Sequence, residues 1–328
     1  MRLIKPSFKI IKQKPGMDGL YKHIETIGRV SYKSEDKITE DSASKFVQRM
    51  ANSGHGAVLE HGTVYLKVPL NDATDVRVES YSHNAFSFVR FHEDYAYITT
   101  NYRVLFENNW MDDLKYMCNP TENHERRVSV KFTMDRIGSQ SFCRHRVFSF
   151  NQESTRWCKY SRDKFDNEIV YILPPWMPDE YLGIHNSRGI LKIAHDFDIW
   201  EPDDEDQREI AFMVACAAGE LAYMRSIRDG WSAEQARAVL PSSLKTEIVM
   251  TGFVSDWWGE TFVMKDGNIV ARYKNSNPNL DEILKQYDSS YSIFSNGFFG
   301  LRCDNHAHPQ AQELAYPLRE EFIRRNYI

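Results

Sequence analysis

Cysteine is scarce in this chain and shows no pattern. The five present (Cys118, Cys143, Cys158, Cys216 and Cys303) are odd in number, widely spaced, and include no C-x-x-C pair. That argues against both a disulfide framework and a thiolate zinc site. No group of histidines carries metal-ligand spacing with a carboxylate partner, so no metal is expected. No run of about 18 apolar residues occurs, the length a membrane span requires, and no membrane partner is expected. The opening MRLIKPSFKIIKQKPG is basic but lacks a sustained apolar stretch and a small-residue cleavage site. It does not read as a signal peptide, and reducing cytoplasm is the expected compartment. An excess of positive charge is also missing: 41 Lys and Arg against 46 Asp and Glu leave a net charge of −5. A mildly acidic chain is a poor general nucleic-acid binder unless its basic residues gather at one place. There is no internal repeat and no low-complexity tract.

What is present is an ordinary globular composition, 42% hydrophobic and 27% charged over 328 residues, with a high aromatic share of 13%. The length allows one large domain or two modest ones. Residues 42–53 place Phe46, Val47 and Met50 on one helical face, with Gly54 as a C-terminal stop. Thr63 to Val68 is β-rich and closed by Pro69, and 109–117 reads as a short amphipathic helix. In 128–134 Val128, Val130, Phe132 and Met134 alternate with polar residues, the pattern of a half-buried strand. A long helix is expected over about 206–229, with Ile210, Val214 and Leu221 at helical spacing. The acidic EPDDED before it suits the helix dipole. Gly230 ends it. Ser232 and Gln235 then have the form of a capping box for a second helix, which carries Arg237 and stops before Pro241. A third helix is expected from Leu244 to Trp258.

Residues 259–297 change character, with a KDGN turn signal, a loop-like NSNPN and a short helix near Leu280–Tyr287. About 39 residues are marginal for independent folding, so this reads as an insertion rather than a domain. Helices mixed with alternating strands, without a βαβα rhythm, favour an α+β fold.

The densest polar cluster runs from Arg144 to Trp157. It holds three arginines, a histidine, two serines and two amides, interleaved with aromatic rings. Guanidinium forks pair with phosphate, and aromatic rings stack on planar ligands. The cluster therefore suits a nucleotide or a flavin. A single-stranded nucleic-acid platform or a solvated basic loop are the competing readings, and the net charge tilts against nucleic acid.

The order of these residues, Arg144-His145-Arg146, seven residues, then Ser154, resembles the signature of the flavin-dependent thymidylate synthases. Further blocks agree with it. Gly54-His55-Gly56-Ala57-Val58-Leu59-Glu60-His61 is similar to that family's histidine-rich segment, and Arg29-Val30-Ser31-Tyr32 to the end of its first helix. Ala236-Arg237-Ala238-Val239-Leu240-Pro241 resembles its A-R-x-x-L-P helix. Leu301-Arg302 with Ala307-His308-Pro309-Gln310 resembles its C-terminal motif. The likeness spans about residues 20–320 and is thin between the blocks.

The resemblance implies one catalytic domain over 1–328, mainly antiparallel sheet with packed helices. It is varied by a segment at about 72–127 and by the 259–297 insertion. It implies an obligate homotetramer with FAD at subunit interfaces, and conversion of dUMP to dTMP with methylenetetrahydrofolate as carbon donor and NADPH as reductant. No cysteine nucleophile is needed. Arg144, His145 and Arg146 are then expected at the flavin, with Asn151, Gln152, Glu60 and Ala57. His306 and His308 compete for one further position there. Arg144, Gln152, Glu153, Ser154, Thr155, Arg156, Arg237 and Arg302 are expected at dUMP, Ser154 as a binding residue rather than a nucleophile. Arg302 is the expected catalytic residue, steadying negative charge on the pyrimidine. For His55 and His61 both a site role and a core role stand. The chain departs from the family pattern at Ser141, Trp157, Phe253 and Ser255. Those departures motivate the rival reading, a nucleotide- or RNA-binding flavoprotein relative without turnover.

Overall fold

Strand Arg127–Asp135 lies at the centre because each of its faces has something to bury against. In the computed structural model, which describes residues 1–161, 168–196 and 208–327, it is the second strand of a four-stranded antiparallel sheet. The order is Ser7–Ile11, Arg127–Asp135, Lys245–Phe253, Ser149–Gln152. One face presents Val130, Phe132, Ile248 and Met250 to Trp257, Phe298, Leu314, Leu318 and Phe322, the largest aromatic cluster of the protein. The last three sit on helix Pro309–Arg324. The other face is polar, yet it is covered by helix Gly16–Val30, whose Ile27 and Val30 meet Val249. Ser129 and Thr251 are thereby buried, so the alternation in 128–134 marks a strand covered on both sides rather than a half-exposed one.

The expected helix over Leu244–Trp258 is a strand at Lys245–Phe253 followed by a single helical turn, Val254–Trp258. Its neighbours bury both faces, so the apolar run Ile248–Met250 shows no period of 2, and β-branched Thr246, Ile248, Val249 and Thr251 decide the conformation. Met111–Tyr116 is a 3-10 turn rather than an amphipathic α-helix. Asp113 in it is buried to accept from Arg77 at 2.7 Å and Tyr81 at 3.0 Å.

Other expectations hold. Helix Ser42–Asn52 buries Phe46, Val47 and Met50, and Gly54 follows at φ +71°. Strand Thr63–Pro69 joins Tyr95–Asn101 and Phe88–His92 in a second antiparallel sheet, built largely from the 72–127 segment and packed on its own core. The Ser232–Gln235 capping box is present, with both reciprocal bonds at 2.9 and 3.3 Å. The helix it starts is brief, Ala233–Ala236, and tightens into a 3-10 turn over Arg237–Val239.

The long helix spans Arg208–Arg228, while EPDDED at 201–206 lies outside the described residues. Its buried face is Met213, Val214, Cys216, Ala217, Gly219, Glu220, Tyr223 and Ile227, so Val214 is on it as expected while Ile210 and Leu221 flank it. By length and composition alone this helix is apolar enough to cross a membrane. Its buried Glu220 accepts from the N-terminal amine at 2.8 Å.

Residues 259–297 form a third antiparallel sheet, Asn268–Lys274, Glu260–Lys265, Ser292–Ser295. Its Asp266–Gly267 turn has φ +50° and +79°, the left-handed pair that a two-residue hairpin demands. Helix Leu280–Leu284 lies within it.

Candidate functional site

The basic motif sits on a bend between helix Arg136–Phe142 and strand Ser149–Gln152. Asp135 caps that helix by accepting from the Gly138 amide at 3.1 Å, and a side chain at Gly138 would collide with the Asp135 carboxylate. The chain then turns through His145, whose amide donates to Phe142 O at 3.1 Å and whose carbonyl accepts from Phe148 N at 3.1 Å. The turn splits the motif. Arg144 and Arg146 point outward and His145 is buried against Phe298 and Phe148, with ring centroids 5.3 and 6.0 Å away.

Arg302, closing helix Gly297–Arg302, meets that histidine. Its Nε donates to His145 Nε2 at 3.0 Å and its Nη2 to the Ser141 carbonyl at 2.6 Å. Burial, with the Arg302 charge added, depresses the imidazole to about 4, so it is neutral and can accept. Burial and the nearby Arg144 charge lower the Arg302 pKa too. Because Arg302 uses the Ser141 backbone, the departure at that side chain leaves this contact untouched.

A cavity of about 540 Å³ opens against His145, Arg146 and Phe148. It is closed by Val254–Asp256 and Trp258 on one side and by Lys274, Ser276 and Asn296 of the third sheet and its loops on the other. Asp256 in its wall is raised to about 6 by burial, against the pull of the Phe253 amide it accepts from at 3.3 Å. Sequence reasoning missed Asp256, Glu125 and Lys274 here. The only available signal was that Asp256 is the lone acid in an apolar stretch, VSDWW.

The guanidinium groups of Arg144 and Arg146 make no ion pair or hydrogen bond among the described residues. Arg146 lines the cavity with Phe148 and Trp258, and with Glu125, Asp256 and Glu260, while Arg144 stands two residues away outside the lining; free guanidiniums of this kind suit the diphosphate of a flavin dinucleotide. No group of three or more His, Cys, Asp or Glu suited to a metal exists among the described residues. The Cys303 thiol is pushed to about 11 by burial, and burial also raises Cys143, so neither is poised as a thiolate nucleophile.

Several expected residues are engaged internally. Asn151 accepts from the Ser31 hydroxyl and donates to Ile27 O at 2.5 Å, and Ser154 N donates to Ser31 O at 2.9 Å. Those bonds join the Arg29–Tyr32 block to the motif. Gln152 donates to Ser139 at 2.7 Å and Thr246 at 3.2 Å. Glu153 is 1% exposed and accepts from Lys245 at 2.8 Å and Tyr160 at 3.3 Å, which turns it away from any open site. Lys33, Lys131, Lys245, Glu153 and Glu247 form one network there. Burial works against the Glu247 charge, but the three lysines outweigh it and hold the group at about 2.

Arg237 is brought to the end of the motif, where its Nη1 donates to Thr155 Oγ1 at 2.9 Å. Arg156 pairs with Glu234 at 2.9 Å on the surface, and Trp157 is exposed.

The histidine-rich segment divides. Ala57 and His55 are exposed. Glu60 accepts from Arg103 at 2.6 Å. His61 is wholly buried with Nδ1 2.7 Å from Thr251 Oγ1, a core position held neutral by burial at about 3. His306 stands in solvent beside Asp304 at 3.0 Å, while His308 caps the last helix and packs 5.8 Å from Trp176. Neither lines the cavity at His145. Phe253 lies 6.1 Å from Phe88 and under the Arg127 guanidinium, so it joins the second sheet to the central one.

Three comparisons with known proteins each find likenesses. Residues 124–262 match the family model described as thymidylate synthase complementing protein. A flavin-dependent thymidylate synthase of Geobacter sulfurreducens is 28% identical over 118 residues, 36% of this chain and 38% of that protein. The match thus spans well under half of the relative. Two crystal structures of the UMP/dUMP methylase PolB from Streptomyces cacaoi, with 5-Br UMP and 5-Br dUMP, are each 12% identical. Their alignments cover 99% of this chain and 92% or 93% of theirs, with TM-scores of 0.39 and 0.38.

Proposed function

We propose that this chain, taken as a single catalytic domain, is a flavin-dependent methyltransferase of the thymidylate synthase type that converts dUMP to dTMP. The observation that carries the reading is the bridge from Arg302 to His145, which ties the C-terminal motif to the centre of the Arg-His-Arg motif at 3.0 Å. The family model over 124–262 supports it, since that stretch includes both the motif and Arg237.

In this reading Arg144 and Arg146 hold the FAD diphosphate. Bound FAD supplies hydride transfer, with NADPH as reductant and methylenetetrahydrofolate as carbon donor. Arg237, Ser154 and Arg156 bind the dUMP phosphate, Arg237 being oriented by Thr155. Arg302 is fixed by two acceptors, and a fixed guanidinium in a half-buried setting favours the negative charge that develops on a uracil ring before its C5 attacks carbon. The neutral His145 holds that guanidinium without cancelling its charge. A homotetramer sharing its sites between subunits belongs to the same proposal.

The test is release of tritium from C5-labelled dUMP with NADPH and methylenetetrahydrofolate, together with flavin released on denaturation. Steady dTMP formation with one flavin per chain is expected. A colourless protein that FAD does not reconstitute overturns the reading. Flavin or nucleotide binding without tritium release favours the non-catalytic relative.

A further inference from the structure

A second cavity, of about 520 Å³, lies where Ile10–Gly16 leads into the first helix. Its other walls are the start of strand Arg127–Asp135 and the Met117–Pro120 stretch of the 72–127 segment. None of its lining residues belongs to the Arg144–Trp157 cluster.

Five cations line it, Lys12, Lys14, Arg126, Arg127 and Arg325, and no Asp or Glu side chain does. Two of the five are satisfied internally: Arg325 by Glu321 at 2.5 Å, and Arg127 by the Glu60 carbonyl at 3.0 Å. Lys12, Lys14 and Arg126 make no ion pair or hydrogen bond through their side chains among the described residues. In a chain of net charge −5, three uncompensated cations around one concavity concentrate positive potential there.

A second observation is independent of those charges. His23 also lines the cavity and is 5% exposed. Its Nε2 is 2.9 Å from Ser129 Oγ, but its Nδ1 is buried without any partner. A buried polar atom left unmatched is costly, and such atoms mark places where something else binds. The remaining wall is apolar and aromatic, with Ile10, Tyr65, Met117 and Tyr327. The volume falls within the range of small-molecule sites.

We propose that this cavity is a second ligand site, for a nucleoside di- or triphosphate. Lys12, Lys14 and Arg126 receive the phosphates, and the Tyr65–Tyr327 side receives the base. The proposal does not depend on the methyltransferase reading.

The test is calorimetric titration of the full-length protein with ATP, ADP and inorganic pyrophosphate at fixed salt. Three forms are compared: the natural chain, Lys12→Glu with Arg126→Glu, and Arg144→Glu with Arg146→Glu. Submillimolar ATP binding is expected, weakened at least about tenfold by the first pair and changed less than about twofold by the second. The milder Lys12→Gln with Lys14→Gln, checked for an unchanged melting curve, is expected to weaken ATP about threefold or more. It keeps the test valid should the charge reversals fail to fold. The His23 ring signals should shift on ATP addition in nuclear magnetic resonance spectra.

No binding up to about 5 mM, or binding abolished by the 144/146 pair instead, overturns the proposal. Equal affinity for pyrophosphate and ATP overturns its nucleoside half. Affinity that is weak for ATP but climbs with the length of a single-stranded RNA overturns it in favour of nucleic acid.

Discussion

Arg302 Nε donates to His145 Nε2 at 3.0 Å, across 157 residues of chain. The contact has direction. A protonated imidazole would present a second donor to a guanidinium, so the pair exists only while His145 is neutral. Burial and the Arg302 charge keep it so down to about pH 4.

Removing Arg302 should therefore have two readouts. Arg302→Ala is expected to lower dTMP turnover at least about 100-fold. It should also raise the His145 pKa above about 4, because the Arg302 charge adds to burial in depressing it, and histidine resonances would report the shift. Loss of turnover with an unmoved His145 pKa contradicts the geometry described.

Arg237 and Thr155 should separate binding from chemistry. Arg237→Ala is expected to weaken dUMP about tenfold to 100-fold, the loss of one charge-assisted pair. Thr155→Val keeps the guanidinium and removes only its 2.9 Å partner, so a smaller loss is expected. Equilibrium titration of dUMP decides, and equal losses would contradict a positioning role for Thr155.

Acid should begin to destabilise the fold in the ordinary histidine range. His23, His61 and His145 are held at about 4, 3 and 4 against an ordinary 6.5, in each case chiefly by burial. The unfolded chain then binds protons first. Stability is full above about pH 6.5 and falls as pH drops towards 4, by up to about 1.4 kcal/mol per pH unit per histidine. Asp256, raised to about 6, opposes this below pH 6, as do Asp135 and Glu313, which burial also raises, while His124, lowered by burial, adds to it. A melting temperature that does not decline between pH 7 and pH 5 would refute the prediction.

Gly297 should resist substitution. Its φ is +78°, and a Cβ there would stand 2.5 Å from the Gly259 Cα, at a crossing where both glycines also line the cavity beside His145. Gly297→Ala is expected to cost about 1–3 kcal/mol in chemical denaturation, because strain and overlap add. Gly267→Ala, with φ +79° and open space around it, should cost less.

Motif spacing made much of the site legible beforehand. The Arg-His-Arg turn, Arg237 and Arg302 were visible as residues, as were the capping box at Ser232 and the hairpin at Asp266–Gly267, because each depends on neighbours within a few positions. Strand Lys245–Phe253 was not legible. Its periodicity vanishes when both faces are covered, and only pairing with Arg127–Asp135 and Ser149–Gln152 makes it a strand. Glu153 shows the same limit. It lies inside the motif, yet just past strand Ser149–Gln152 its carboxylate is taken up by Lys245 and Tyr160.

The sequence by itself determined the local chemistry: an acidic chain with its arginines gathered at 144–156, no patterned cysteine, and turn and cap residues at fixed offsets. Tertiary structure alone decided which groups stay free. Among the described residues Arg144 and Arg146 are left without partners, whereas Glu60, Asn151 and Glu153 are taken up by residues far along the chain. The physical reason is that hydrogen bonding and burial are settled between distant segments brought into contact. A residue's type states what it can bind, and only packing states whether that capacity is already used.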